Sequence, residues 1–488
     1  MYRLIIILAL SAVSAGCNSS GNSGNGPVAP DSPIASSIGG AEYDTGDALA
    51  IDSDRNVFTA GTFFGTMDID PGGSVEMVVS NGSADMYITK VDREGNFLWG
   101  FGFGGTTYDV IAQMVSDSDG NIYAAGYFGG TVDFEPGRGT TMLASAGESD
   151  AFLLKLDTNG NLLWVIPFGD TGTDLGFDLA LNDSGDVIVS GAFSNTVDFD
   201  PGIGEFLLTS SFGIDVFVVS VDSEGEFNWA ITFGGGSFDR PYGIDVDGNG
   251  NVLLSGTFIN TVDLDPGPGE SLHTSNGLYD IYILKLDPNG EFIWGSTIGG
   301  IGEEWGYDID VDGDGFINIT GQFGGLVDFD PGKGEALAQS IGQPDPFVAQ
   351  YDPNGDFAWV IPIKADGLGV TDAGWSVASD IQNTIYVTGA YSGYANIATN
   401  SANFNISSLG GSDLFIFAVT SNGVPMWVDS YGGPGNDGGR KLTVDSGSNL
   451  YITGYFQNTV SFPAEMGGDL TSSGDFDAFT LKVIEDWF

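Results

Sequence analysis

"VDFDPGIG" (197–204) does not stand alone. "VDFEPGRG" lies at 132–139, "VDLDPGPG" at 262–269 and "VDFDPGKG" at 327–334, each 65 residues from the next, and an earlier version carries Asp68 and Asp70. A segment that returns at a fixed interval belongs to a repeating unit, and the unit decides the fold. Proline fixes φ and glycine accepts φ > 0, so the pair makes a rigid corner. One aspartate can close that corner by accepting backbone N–H bonds. The competing reading is a calcium loop that shares its ion with an aspartate further along the unit. The corner is the expected role.

Other series keep the same step. Trp99, Trp164, Trp229, Trp294 and Trp359 are 65 apart, and Trp427 follows. Asp85, Asp150, Asp215, Asp280, Asp345, Asp413 and Asp477 form a second series, and Asp44, Asp109, Asp174, Asp239, Glu304, Asp372 and Asp437 a third. Seven members imply seven units. Each unit holds four strand-like runs, as in "FDLALN" (177–182), "DVIVSGAF" (186–193), "DVFVVSVD" (215–222) and "EFNWAITF" (226–233). Tight Asp-Gly turns join the first pair and the last pair. The tryptophan after each last turn is expected to wedge between neighbouring units. A unit of this size is too small for a sandwich with its own core, so the pattern predicts an all-β, seven-bladed β-propeller of four-stranded antiparallel blades. The last unit lacks a fourth strand, and "PIASSIGG" (33–40) aligns with one. The N-terminal strand is therefore expected to complete the last blade and close the ring.

"DSDGNIYAAGYF…DAFLLKLDTNGNLLW" (117–164) resembles the bacterial seven-bladed β-propeller repeat, the SBBP repeat. The resemblance covers residues 33–488. It implies an exported propeller and no common activity, so function has to be read from the site.

The chain has 488 residues, with 66 acidic residues against 13 Lys+Arg and a formal net charge of −53. Such a surface repels nucleic acid and anionic lipid headgroups, which argues against both as direct partners. The start, "MYRLIIILALSAVSAGC", has a basic residue, an apolar run too short to span a bilayer, and small residues before Cys17, the only cysteine. It reads as a lipoprotein signal peptide (1–16) cleaved before an acylated Cys17, followed by a Gly/Ser/Asn tether to residue 32. The expected setting is a bacterial outer membrane or cell surface. The lipid anchor is the sole membrane contact, and the protein acts as a monomer.

"DVDGDGFIN" (310–318) matches the alternate-aspartate pattern of calcium loops, with Asp310, Asp312, Asp314 and Asn318 as oxygen ligands; the competing reading is a plain hairpin turn. No other cofactor is called for. Catalysis has little to build on. His273 is the only histidine and occupies an apolar scaffold position, which leaves no Ser/His/Asp triad or zinc site. One asymmetry stands out. At a position near the start of each first strand the units read Asp47, Ala112, Phe177, Tyr242, Tyr307, Trp375 and Arg440, with Trp305 close by. Inter-blade packing would explain such aromatics. The functional reading is an arc of Phe177, Tyr242, Tyr307, Trp305 and Trp375 for a sugar or peptide, beside a carboxylate rim of Asp239, Glu304 and Asp372. The expectation is a binding or scaffolding module for a surface glycan, peptide or protein. The alternative is a calcium-dependent propeller hydrolase or lactonase with carboxylates near the axis.

Overall fold

The computed structural model describes residues 34–484 apart from 138, 203, 212, 368–371 and 400. The signal peptide, Cys17 and the tether lie outside the described residues. The chain divides into two units, 1–31 and 32–488, and the second carries the fold.

Runs of continuous apolar residues become strands buried on both faces, such as Val57–Phe63 and Val187–Phe193. Runs that alternate become half-exposed strands, such as Phe97–Phe103. Neighbouring strands pair antiparallel, and Asp-Gly turns close the hairpins. Asp157 Oδ1 accepts from the N–H groups of Asn159 (2.8 Å) and Asn161 (2.9 Å), which fixes the turn before Trp164. The first strands lie innermost. Each packs against the first strand of the next repeat, and Thr45–Ile51 packs against Gly438–Val444 at the far end of the chain. The fold is therefore an all-β propeller around a central axis. Among the described residues the one helical element is the 3-10 turn Ala464–Met466, and no helix is long and apolar enough to cross a membrane.

The expectation of seven separate four-stranded blades is corrected by the hydrogen bonding. Five sheets of four to six strands stand as discrete blades. The strands Leu175–Leu181, Val187–Phe193, Asp215–Val221, Phe227–Gly235, Arg240–Val246, Val252–Asp263, Leu272–Leu286, Phe292–Gly300, Leu326–Asp328 and Leu337–Gln339 instead join into one continuous ten-stranded sheet. The junction runs through a pair of glycines at the end of the outer strand. Gly234 and Gly235 pair with Asp263 and Val262, and Gly299 and Gly300 with Asp328 and Val327. With no side chain in the way, the strand runs on into the corner of the following repeat. The same device enlarges another sheet. Ile34–Gly40 pairs antiparallel with Leu470–Val483, from Ile34 opposite Lys482 to Ile38 opposite Ala478. Its Gly39 and Gly40 then pair with Asp68 and Met67.

Successive repeats are also held by side chains. Trp99 Nε1 donates to the Thr158 carbonyl (3.1 Å), Trp164 to Ser223 (3.3 Å), Trp229 to Pro288 (3.1 Å) and Trp359 to Ser421 (3.1 Å). Each acceptor sits in the hairpin turn of the following repeat. The turn glycine makes room for the ring: a Cβ on Gly290, whose φ is +81°, would lie 2.8 Å from Trp229. The hydrophobic clusters follow the same plan, one drawing on Ala48 to Leu156 and the next on Tyr123 to Ala230. No repeat keeps a core to itself.

The aspartates of the opening motif are consumed by their corner. Asp198 Oδ1 accepts from the N–H groups of Asp200 (3.0 Å) and Phe206 (2.8 Å). Asp68, Asp133, Asp263 and Asp328 do the same in their repeats. The second aspartate also binds the turn, as Asp330 does through Gly332 N–H (2.7 Å).

Candidate functional site at the axis

An ideal strand sends alternate side chains to opposite faces. The innermost strands break this rule at one place. The pairing of first with second strand shifts between Gly46 and Ala48, Ile111 and Gln113, Gly176 and Asp178, Pro241 and Gly243, Gly306 and Asp308, Gly374 and Ser376, and Gly439 and Lys441. The extra residue in each bulge is Asp47, Ala112, Phe177, Tyr242, Tyr307, Trp375 or Arg440. A bulge leaves one residue without a ladder partner and re-aims its side chain. A sequence position that differs strongly between repeats is thus one that the backbone releases toward the axis.

All seven of these residues line a single cavity of about 370 Å³. Its wall is aromatic on one side. Phe177 meets Tyr242 edge-to-face at 5.5 Å, and Tyr242 meets Tyr307 at 5.4 Å. The Arg440 guanidinium lies 4.8 Å from the Trp375 ring centre and 5.3 Å from that of Tyr455. Trp305 stands behind this wall, 6.1 Å from Tyr307 and 4.9 Å from Tyr279, and is not part of the lining. The cavity floor is formed by the residues after three of the bulges, Gln113, Asp178 and Lys441. A second cavity of about 510 Å³ opens at the other ends of the innermost strands and shares Gln113 and Lys441 with the first.

Below the floor the axis holds an ordered set of charges. Lys441 Nζ lies 3.2 and 3.3 Å from the Asp308 oxygens. Asp308 also accepts from Ser376 Oγ (2.7 Å) and the Val377 N–H (3.0 Å). Asp178 accepts from Ile244 N–H (3.1 Å), Asp245 from Val311 N–H (2.7 Å) and Asp310 from Ser379 N–H (3.1 Å). Each carboxylate reaches one repeat forward and satisfies a backbone donor on an innermost strand that has no sheet neighbour on that side. Burial pushes the Asp178 carboxyl up against the opposing pull of Lys441, and pushes Asp245 up with help from the nearby Asp310 charge. Lys441 is held charged by Asp308 and Asp178 despite its burial.

The other expected site residues fall as follows. Asp310, Asp312, Asp314 and Asn318 do not converge on one point. Asp310 Oδ2 accepts from Asn318 Nδ2 (3.0 Å), Asp312 Oδ1 closes the turn through Asp314 (3.0 Å) and Phe316 N–H (2.9 Å), and Asp314 binds Asn383 Nδ2 (2.6 Å). Among the described residues no group of three or more acidic, histidine or cysteine side chains is placed to hold a metal ion. Asp239, Glu304 and Asp372 are not a rim. They are 0–2% exposed and staple the junction between repeats, Asp239 through the Gly235 N–H (2.7 Å) and Glu304 through the Gly300 N–H (2.8 Å). His273 sits between Ser271 Oγ (3.2 Å) and Thr297 Oγ1 (3.3 Å), away from the axis. The reading from sequence missed Gln113, Asp178, Asp308 and Lys441. Their signal was present in the residue after the bulge, where four of the repeats carry a charged or amide side chain (Gln113, Asp178, Asp308 and Lys441) in place of Ala48, Gly243 and Ser376.

No protein-family model matches the chain. It is 24% identical over 287 residues, 52% of this chain and 20% of the other, to the uncharacterized WD repeat-containing protein L264 of Acanthamoeba polyphaga mimivirus. It is 28% identical over 190 residues, 38% of this chain and 19% of the other, to the regulatory protein FlaEY of Caulobacter vibrioides. The chain thus spans about a fifth of the length of the curated relatives it matches. Among solved structures, the WD40 β-propeller domain of Doa1 aligns over 92% of this chain and 96% of its own, with 11% identity and a TM-score of 0.40.

Proposed function

We propose that this propeller is a binding module whose ligand seats in the axial cavity. The observation that carries the reading is the coincidence of the bulges with the variable position. Seven backbone irregularities turn seven side chains of six kinds toward one cavity, whereas residues that recur in every repeat are already occupied by corners, turns and junctions. A volume of about 370 Å³ is at the small end of ligand sites, so the occupant is a sugar unit, a short peptide or one side chain of a larger partner. Aromatic faces there suit sugar C–H surfaces or apolar side chains. The test is a glycan and peptide array probed with the wild type, Tyr307→Ala and Trp375→Ala. Each variant is expected to weaken the hits by about 1–3 kcal/mol while the fold persists. Binding unchanged in both variants would refute the site.

The setting proposed for this module is the outside of a bacterial cell, anchored through acylated Cys17. The basic residue, short apolar run and small residues before Cys17, and the resemblance to the exported bacterial propeller repeat, support it. Cys17→Ser should move the protein from the membrane fraction to the soluble exported fraction, and retention of the variant at the membrane would refute the anchor.

A further inference from the structure

Two of the repeating carboxylate series meet at the junctions between repeats. Gly234 and Gly235 show the arrangement. A Cβ on Gly234 would collide with the Asp215 carboxylate, and the Gly235 N–H donates to Asp239 Oδ2 (2.7 Å). One glycine pair therefore carries a carboxylate from each of two successive repeats. Gly299 and Gly300 hold Asp280 and Glu304 in the same way, and Gly104 and Gly105 hold Asp85 and Asp109. These six carboxylates are 0–3% exposed. In each pair the charge of one pushes the carboxyl of the other up, so the two lie within electrostatic reach, and the same repulsion acts in Asp44, Asp174 and Asp437.

None of the ion pairs among the described residues involves either series. The Asp85 series also keeps an unused oxygen. Oδ1 of Asp85, Asp150, Asp215, Asp280, Asp413 and Asp477 is buried without a hydrogen bond. Both bonds from Ser211 to Asp215 fall on Oδ2, as do both from Asn81 to Asp85. The N–H groups of Gly147, Gly277 and Gly410 approach Asp150, Asp280 and Asp413 and still leave Oδ1 unbonded. A buried carboxylate oxygen with neither donor nor cation is costly.

One junction departs from the pattern. The position of Gly234 is taken there by Lys364. The lysine charge opposes the rise that burial causes in Asp345, and Asp345 Oδ1 accepts from the Ala365 N–H (3.1 Å). Asp372, the other member of that pair, keeps one unbonded oxygen. Where the chain supplies a cation the aspartate of the Asp85 series is satisfied, and where glycine stands instead its Oδ1 is left over.

We propose that a calcium ion binds between the two carboxylates at each junction of the glycine type. The two carboxylates balance its charge. They are too few to hold zinc, whereas calcium takes the rest of its oxygen shell from backbone carbonyls and water. The ion joins one repeat to the next and makes no use of the axial cavity.

The experiment is equilibrium dialysis of the full-length chain, freed of metal with a chelator, against calcium at pH 8 in about 0.15 M salt, which screens ions held loosely by surface charge. Bound calcium and melting temperature are read together. Six ions per chain are expected, one for each unbonded Oδ1 of the Asp85 series. Millimolar calcium should raise the melting temperature by about 5–10 °C and cancel the loss of stability that the ionised pairs cause in the metal-free protein at this pH. Magnesium, smaller and strict in its octahedral geometry, should do much less. Asp215→Asn should bind one ion fewer, and Asp345→Asn, at the lysine junction, as many as the wild type. No rise in melting temperature with calcium, an equal rise with magnesium, or a stoichiometry unchanged in Asp215→Asn would each overturn the proposal. The first two outcomes need no variant, so they decide the matter even if Asp215→Asn does not fold.

Discussion

Removing the Asp308 carboxylate should damage the axis more than any other single change there. Asp308 accepts from Ser376 Oγ at 2.7 Å, the Val377 N–H at 3.0 Å and the Ile309 N–H at 3.1 Å, and pairs with Lys441 at 3.2 Å. Its side chain is 5% exposed and that of Lys441 18%. Asp308→Ala leaves a largely buried ammonium without its main partner and strands two donors on the next repeat. Loss of one partner of a buried pair costs about 3–5 kcal/mol. Lys441→Met removes the charge instead and leaves the carboxylate with its three other donors, at a cost of about 1–2 kcal/mol. The double variant has no stranded cation, so the two effects should not add, with a coupling of about 2 kcal/mol. Urea unfolding followed by tryptophan fluorescence measures all four proteins. Additivity to within about 0.5 kcal/mol would show that Lys441 does not depend on Asp308 and would refute the axial pair.

Other expectations follow from the junctions between repeats. Burial pushes the carboxyls of Asp44, Asp174, Asp239, Glu304, Asp345 and Asp437 up to about 7, against about 4 in the unfolded chain. The folded state therefore binds more protons between those limits, and stability falls as pH rises from 4 to 7 by about 1.4 kcal/mol per pH unit for each extra proton. The melting temperature should be higher at pH 5 than at pH 8, and a scan showing the reverse would contradict this burial. Gly290→Ala should destabilise by about 1–2 kcal/mol from its positive φ alone, and by more from the clash with Trp229, as read by chemical denaturation. Deleting residues 34–40 exposes the edge of Leu470–Val483 and should produce aggregation visible by light scattering; a monodisperse deletion would show that the pairing is dispensable.

Much of the scaffold was legible because it repeats. The 65-residue step, the Asp-Pro-Gly corner and the tryptophan after each turn can each be checked against several copies in one chain. The division into sheets was not legible in the same way. Gly104–Gly105 and Gly234–Gly235 read alike, yet the second pair joins two repeats through Val262 and Asp263. The difference is one of backbone reach rather than residue type. The site was half visible. The variable position could be read by alignment within the chain, but strict alternation gives no reason for Phe177 and Asp178 to act at the same cavity. The bulge between Gly176 and Asp178 supplies that reason. Conversely, Asp239, Glu304 and Asp372 looked like a rim because acidic residues are usually exposed, yet they are buried in the junctions between repeats, where each accepts a hydrogen bond and burial pushes its carboxyl up. The expected calcium ligands separate because the strand Glu304–Val311 ends before Asp312, so that Asp310 lies on the strand and Asp312 and Asp314 in the turn. Asp310 stays beside the axis with Asn318, and Asp312 serves the turn.

The central claim is that the ring of bulges makes one binding cavity, and blocking that cavity tests it most directly. Ala112 lines it, and Cys17 is the only cysteine in the chain, so Cys17→Ser with Ala112→Cys places a single thiol in the cavity. The modified position contributes only a methyl group to the wall, which keeps the aromatic side and Arg440 intact. A bulky maleimide added there fills much of the 370 Å³. The array should be read with the double variant before and after modification, with melting temperature as the control on folding. Every ligand bound before modification should be lost afterwards at an unchanged melting temperature. Ligands retained by the fully modified protein would place the binding site elsewhere.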